Sequence, residues 1–273
     1  MGAPRSDISQ RLLGLGMFLP ILIPVLLGPP AAFWGLALIS LWISAEYSHL
    51  LTADREISVT RQAAFASVLW ACFLLLSFSS LPFSLQSGLV FGLGLLGLAL
   101  NRRQAGFTIL VIGCLCALAV LGRTETGVLI VLFSAVVIAA GDSGAYFVGR
   151  WLGGPKLAPA ISPSKTWSGS MGGLFLSLLG GVCFLLITGA EMNAGNMMKI
   201  LLWLVIISIL AQAGDLIESW TKRRLQVKDS SRLIPGHGGV LDRFDGYLLA
   251  LPVIAGAEAA GLFISVSSAG GGS

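Results

Sequence analysis

Apolar residues run along this chain in long blocks separated by short polar clusters. With about 20 apolar residues per membrane crossing and shorter runs tolerated, the blocks predict nine helical spans, at 12–27, 31–50, 63–81, 85–100, 107–121, 127–148, 170–189, 199–218 and 247–266. The uncharged stretch from Ala63 to Leu100 is too long for one crossing, and "SLPFS" is its most plausible break. The expected architecture is all-α: a polytopic membrane bundle of about nine helices, without a separate soluble catalytic domain.

Within that single unit, residues 1–126 are expected to form N-terminal helices and 127–266 the chemistry-bearing helices, with residues 267–273 as a flexible tail. The first 20 residues read as the first membrane helix rather than a cleaved signal. Two connections are long for a tight bundle, 149–169 and 219–246. Loops of that length are usually functional or disordered, so chemistry is expected there and at the adjoining helix ends.

Charge supports the count. If the N-terminus and the even-numbered loops share one side, that side carries 15 of the 17 basic residues, leaving Arg123 and Lys199 opposite. The positive-inside rule reads the basic side as cytoplasmic. The expected location is therefore the cytoplasmic (inner) membrane, multi-pass, with the N-terminus and both long loops cytoplasmic and the C-terminus outside.

Composition agrees: 55% of residues are hydrophobic and 11% charged, against about 25% charged in soluble domains. The formal charge of +4 describes a basic membrane face, so no nucleic-acid partner is expected. Four cysteines lie inside apolar runs, and with only two histidines a site built on several imidazoles is excluded.

Acidic residues inside or beside apolar runs are costly and mark polar cavities or pairs. Asp142 and Asp215 each follow a glycine, which lets another backbone or a ligand come close. On a helix, Asp215, Glu218, Ser219 and Lys222 share one face; the stripe serves either a site or simple pairing of Asp215 with Ser219 and Glu218 with Lys222. In "ISPSKTW", Ser164 and Lys165 suit a phosphate, although Trp167 suits an interfacial anchor equally, and no Walker loop precedes them.

The segment "HGGVLDRFDG", residues 237–246, is the densest. Its glycines can turn backbone N–H groups toward an anion. Asp242 and Asp245, three apart, point the same way, toward a divalent cation or, for Asp242, a helix cap. Arg243 between them is expected to point elsewhere, to a phosphate or the membrane surface. Carboxylates without competing nitrogen or sulfur ligands favour Mg2+.

From Ser219 through Lys222, Arg223, Lys228, Asp229, Ile234, Pro235, His237, Gly238, Gly239, Asp242 and Arg243 to Asp245, the chain resembles the C-terminal signature of phosphatidate cytidylyltransferases, or CDP-diacylglycerol synthases. The resemblance continues upstream through "GDSGAYFVGRWLGGPKLAPAISPSKTWSG". It departs at Ser168, where relatives often carry Glu, and at Ser231, where Gly is common.

The resemblance implies transfer of a cytidylyl group from CTP to phosphatidic acid, giving CDP-diacylglycerol and pyrophosphate. Asp215 and Asp242 are then the expected principal Mg2+ ligands, with Asp245 and Glu218 beside them and room for a second cation. Lys222, Arg223, Lys228 and Arg243 would bind triphosphate or lipid phosphate, assisted by Lys165. Ser164, Ser219, His237, Gly238 and Gly239 would contact substrate, and Asp142 would complete the cavity. CTP, phosphatidic acid and membrane lipids are the expected partners, and a homodimer is one expectation for short spans. Two rivals remain: a CTP-dependent lipid-alcohol kinase, and a transporter using Asp142, Asp215 and Glu258 along a pathway.

Overall fold

The computed structural model describes residues 19–28, 31–52, 105–190, 192–231 and 239–264. The predicted spans at 63–81 and 85–100, part of that at 12–27, and the site residues His237 and Gly238 lie outside them. The described elements are α1 (Leu19–Leu26), α2 (Ala31–Thr52), α3 (Ala105–Leu121), α4 (Glu125–Leu152), β1 (Lys156–Ala158), β2 (Ser162–Thr166), α5 (Trp167–Thr188), α6 (Ala194–Arg224) and α7 (Leu241–Ala259).

The described residues are mostly helical, and among them three helices, α4, α5 and α6, are long and apolar enough to cross a membrane. One expectation needs correction. The 149–169 connection is not an irregular loop between helices; it folds back as an antiparallel hairpin, Lys156 opposite Thr166 and Ala158 opposite Ser162.

Helix ends follow local chemistry. Thr124 caps α4 by accepting from Gly127 N–H at 3.0 Å, Thr166 caps α5 by accepting from Gly169 N–H at 3.1 Å, and Asn193 caps α6 through Asn196 N–H at 3.0 Å. A side-chain oxygen here satisfies N–H groups that a helix start leaves without partners. Gly153 and Gly189, at φ 61° and 71°, end α4 and α5.

Helix α6 continues past the predicted end at 218 to Arg224, with Lys222, Arg223 and Arg224 in its last turn, where cations meet the negative end of the helix dipole. At 1.5 Å per residue its 31 residues reach about 46 Å, well beyond the roughly 30 Å of a bilayer's hydrocarbon.

Close packing of α4 on α5 rests on absent side chains. A Cβ on Gly144 would stand 2.5 Å from the Gly172 carbonyl oxygen, and one on Gly173 would stand 2.9 Å from that of Gly141. Backbones that touch like this gain dispersion contact without needing a hydrophobic driving force in lipid. Beside them the core is apolar, with aromatic Tyr47 and Phe133 and aliphatic Leu115 and Leu204 fully buried. Buried hydroxyls turn back on their own helices, Ser40 to Leu36 O and Ser134 to Ile130 O, both at 2.8 Å.

One end of the bundle is tied by Lys199 Nζ, which donates to Phe263 O at 2.7 Å, and by Trp203 Nε1, which donates to Leu262 O at 3.0 Å. Lys199 precedes Asp215 by about 24 Å of helix. Glu258 occupies the final turn of α7.

Gly144→Ala forces a methyl into the Gly172 carbonyl and should cost at least the 1–3 kcal/mol typical of overpacking. Gly256→Ala, with no atom within 4 Å of the new Cβ, should leave stability equal or higher. Thermal unfolding of the detergent-solubilised protein separates the two.

Candidate active site

The ends of four helices and the hairpin enclose a cavity of about 690 Å³ at the opposite end of the bundle from Lys199. Helix α4 supplies Asp142, Tyr146 and Arg150, β2 supplies Ser164 and Lys165, α6 supplies Gln212 and Asp215, and α7 supplies Asp242, Arg243 and Asp245. Antiparallel packing brings C-terminal ends of α4 and α6 together with N-terminal ends of α5 and α7.

The glycine before each aspartate serves the close approach that the sequence suggested. A Cβ on Gly214 would lie 2.5 Å from Asp245 O, and one on Gly141 would lie 2.5 Å from Ser177 Oγ. Helix α7 thus passes against α6 at Gly214, which sets Asp245 near Asp215.

Lys165 Nζ lies 2.5 Å from Asp215 Oδ2, joining the hairpin to α6, and Ser219 Oγ donates to Asp215 Oδ1 at 3.4 Å. The Asp215–Ser219 contact therefore exists, but the lysine of another element is the stronger partner. Asp245 precedes the predicted span at 247–266. Burial, then the charge of Asp215, and less strongly that of Asp142, push its carboxyl up to about 8 against the pull of the Gly246 N–H. Asp245 thus shares the cavity with Asp215 and Asp142, and their charges repel its own.

Asp242 is differently occupied. Its carboxylate accepts from Lys222 Nζ at 2.8 Å, from Ser230 N–H at 3.1 Å and from Gly239 N–H at 2.9 Å. Burial alone would raise its pKa, but the Lys222 hydrogen bond and charge, with the Gly239 N–H, hold it below the usual carboxylate value. It lines the cavity and also ties α6, the 225–240 connection and α7 together.

Lys222 Nζ also lies 2.6 Å from Glu218 Oε2. The approach is poorly directed, so both Glu218 oxygens are buried without a hydrogen-bond donor among the described residues. Glu218 is fully buried and is not among the residues that line the cavity. Arg243 lines the same cavity as Asp242 and Asp245. Arg223 Nε donates to Ile161 O at 3.4 Å, latching the hairpin turn to α6, and Lys228 is exposed; neither lines the cavity.

Two polar residues escaped the sequence reading. Gln212 sits one turn before Asp215 on the cavity wall, where Nε2 donates to Ser170 O at 3.3 Å; its place on the Asp215 stripe could have found it. Glu46 in α2 is buried against the start of α7. Its signal was a carboxylate inside an apolar run, the same flag that drew attention to Asp142.

Chemically the cavity offers hard oxygen donors beside Lys165 and Arg243. Among the described residues no three acidic, histidine or cysteine side chains converge into a complete metal cage. Mg2+ keeps waters and shares substrate phosphate oxygens with one or two carboxylates. Asp215 and Asp245 fit that donor set, with Asp142 nearby.

A sequence model of the cytidylyltransferase family matches residues 9–257. The phosphatidate cytidylyltransferase of Brucella suis biovar 1 (strain 1330) is 37% identical over 214 residues, covering 73% of this chain and 76% of that protein. The phosphatidate cytidylyltransferase of Staphylococcus aureus (strain COL) is 42% identical over 132 residues, 48% of this chain and 49% of that protein.

Removing one partner of a buried ionic cluster costs about 3–5 kcal/mol. Lys222→Met, which leaves Asp242 and Glu218 without their ammonium, should destabilise to that extent. Glu218→Gln added to it should recover part of the loss, as denaturation in detergent would register.

Proposed function

We infer the reaction from one premise: this chain belongs to the cytidylyltransferase family, and the relatives that match most of its length carry the name phosphatidate cytidylyltransferase. The protein is a membrane enzyme that transfers a cytidylyl group from CTP to phosphatidic acid, releasing pyrophosphate and leaving CDP-diacylglycerol. The observation that carries this is the pairing of carboxylates with Lys165 and Arg243 in one cavity at an end of an apolar bundle. Such a place admits a water-soluble triphosphate and a phosphate anchored in lipid.

No protein nucleophile is required. An oxygen of the lipid phosphate attacks the α-phosphorus of CTP, the bond from that phosphorus to the bridging oxygen breaks, and pyrophosphate departs. The protein's task is positioning and charge neutralisation. Asp215 and Asp245 are the residues that would hold Mg2+, and Asp142 would extend the set to a second cation. The ion's contribution is neutralisation of phosphate oxygens as charge shifts to the leaving group.

Lys165 and Arg243 neutralise the triphosphate from β2 and α7. Ser164 donates beside Lys165. Asp242 orients Lys222 and the start of α7; Arg223 and Lys228 are assigned to phosphate, and Ser219, His237, Gly238 and Gly239 to substrate contact. The lipid phosphate is assigned to the α4 side. Arg150 Nη1 there donates to Tyr146 Oη at 2.8 Å, and exposed Phe147 and Trp151 offer an apolar flank to acyl chains.

We further assign nine spans, with 1–126 as support and 127–266 as the catalytic part, in the inner membrane. The cavity opens to the cytoplasm, and the molecule sits among membrane lipids as a homodimer.

Purified protein with CTP, Mg2+ and phosphatidic acid should yield pyrophosphate and a cytidylylated lipid; CDP with a phospholipid monoester would point to a kinase instead. Asp215→Asn should abolish Mg2+-dependent turnover, and near-normal rates would remove that residue from the metal site. Because Asp245 keeps its proton up to about pH 8, cation binding at pH 7 must displace it. Mg2+ affinity should therefore climb with pH and level off above 8, with proton release visible by calorimetry in buffers of different ionisation enthalpy.

A further inference from the structure

Glu46 belongs to α2, well away in sequence from the cavity residues, and is 3% exposed. Its Oε1 accepts from Ser231 Oγ at 2.7 Å and from Val240 N–H at 2.8 Å. Its Oε2 accepts from Leu241 N–H at 2.7 Å and from Ser230 Oγ at 3.2 Å. Two donors come from the beginning of the 230–241 segment and two from its end, so one carboxylate draws both ends together.

Val240, the N-cap residue of α7, makes no side-chain capping bond. The first N–H groups of a helix need partners, and here a different helix provides the acceptor, with the negative charge placed at the positive end of the α7 dipole. Space around the carboxylate is closed: a Cβ on Gly239 would stand 2.7 Å from Glu46 Oε2. Each carboxylate oxygen offers two lone pairs, and four donors fill them. Glu46 has no capacity left for a cation or a substrate, so any influence on chemistry passes through the segment it holds.

We propose that Glu46 is a positioning residue for nucleotide binding: by clamping both ends of the 230–241 segment it sets where α7 begins and hence how Asp242, Arg243 and Asp245 face the cavity. The proposal rests on the cytidylyl-transfer reading. It places part of the active-site scaffold in α2, whose described residues are not among those that line the cavity.

The test uses the full-length enzyme in mixed micelles, as Glu46→Ala, Glu46→Gln and the Ser230→Ala, Ser231→Ala double variant. Glu46→Ala should raise KM for CTP tenfold or more while KM for phosphatidic acid, assigned to the untouched α4 side, stays within threefold. Glu46→Gln should fall between, since its amide oxygen still accepts two hydrogen bonds. Adding the serine changes to Glu46→Ala should cost less than twofold further.

Hydrogen exchange at the Val240 and Leu241 amides should quicken at least tenfold with no change in the α4–α5 core. Unaltered CTP affinity with unaltered exchange overturns the proposal, as does uniform loss in kcat, both KM values and exchange throughout the bundle. If the wild-type protein makes no CDP-diacylglycerol, the reaction assignment fails instead. Exchange then decides alone: quickening confined to 240–241 supports the clamp, and its absence sinks it.

Discussion

One ammonium group organises the polar end of this bundle. Lys222 stands between Glu218 on its own helix and Asp242 on the next, in surroundings too dry for any of the three to stand alone. That requirement fixes the register of α6 against α7, and the register in turn brings Asp245 past Gly214 and beside Asp215. Asp242 spends its remaining acceptor capacity on Ser230 and Gly239, so the same constraint reaches the connection between the helices. Asp242 is thus held by donors from three segments, while Asp215 in the open cavity is held by Lys165 and Ser219.

A second constraint is steric. Helices in lipid gain little from burying apolar side chains, so they adhere where backbones can touch. The glycines of α4 and α5 meet that need. They also leave the C-terminal turns of α4 aimed at the hairpin, so the packing that holds the bundle presents Asp142 and Arg150 to the cavity.

Much of this was legible beforehand. Apolar block length located α4, α5 and α6, and helical spacing put Asp215, Ser219 and Lys222 on one face, because both follow from period alone. The rest depends on contacts between segments distant in sequence. Nothing local says that Lys165 reaches Asp215, that Arg223 holds the hairpin turn, or that Asp242 is occupied by three donors. The hairpin itself hid behind prolines and glycines that read equally well as loop. Glu46 was hidden most fully, since its partners lie 184 to 195 residues away and the helix it caps has no capping residue of its own.

The tethers at the far end carry a mechanical consequence. With Lys199 and Trp203 gripping the turn after α7, and Lys222 gripping its start, this helix is pinned to α6 at two points and cannot slide along it. When the surrounding bilayer thins or thickens, such a pair can respond only by tilting as a unit. The two helices therefore move as one body, and the spacing of the cavity's charges stays constant.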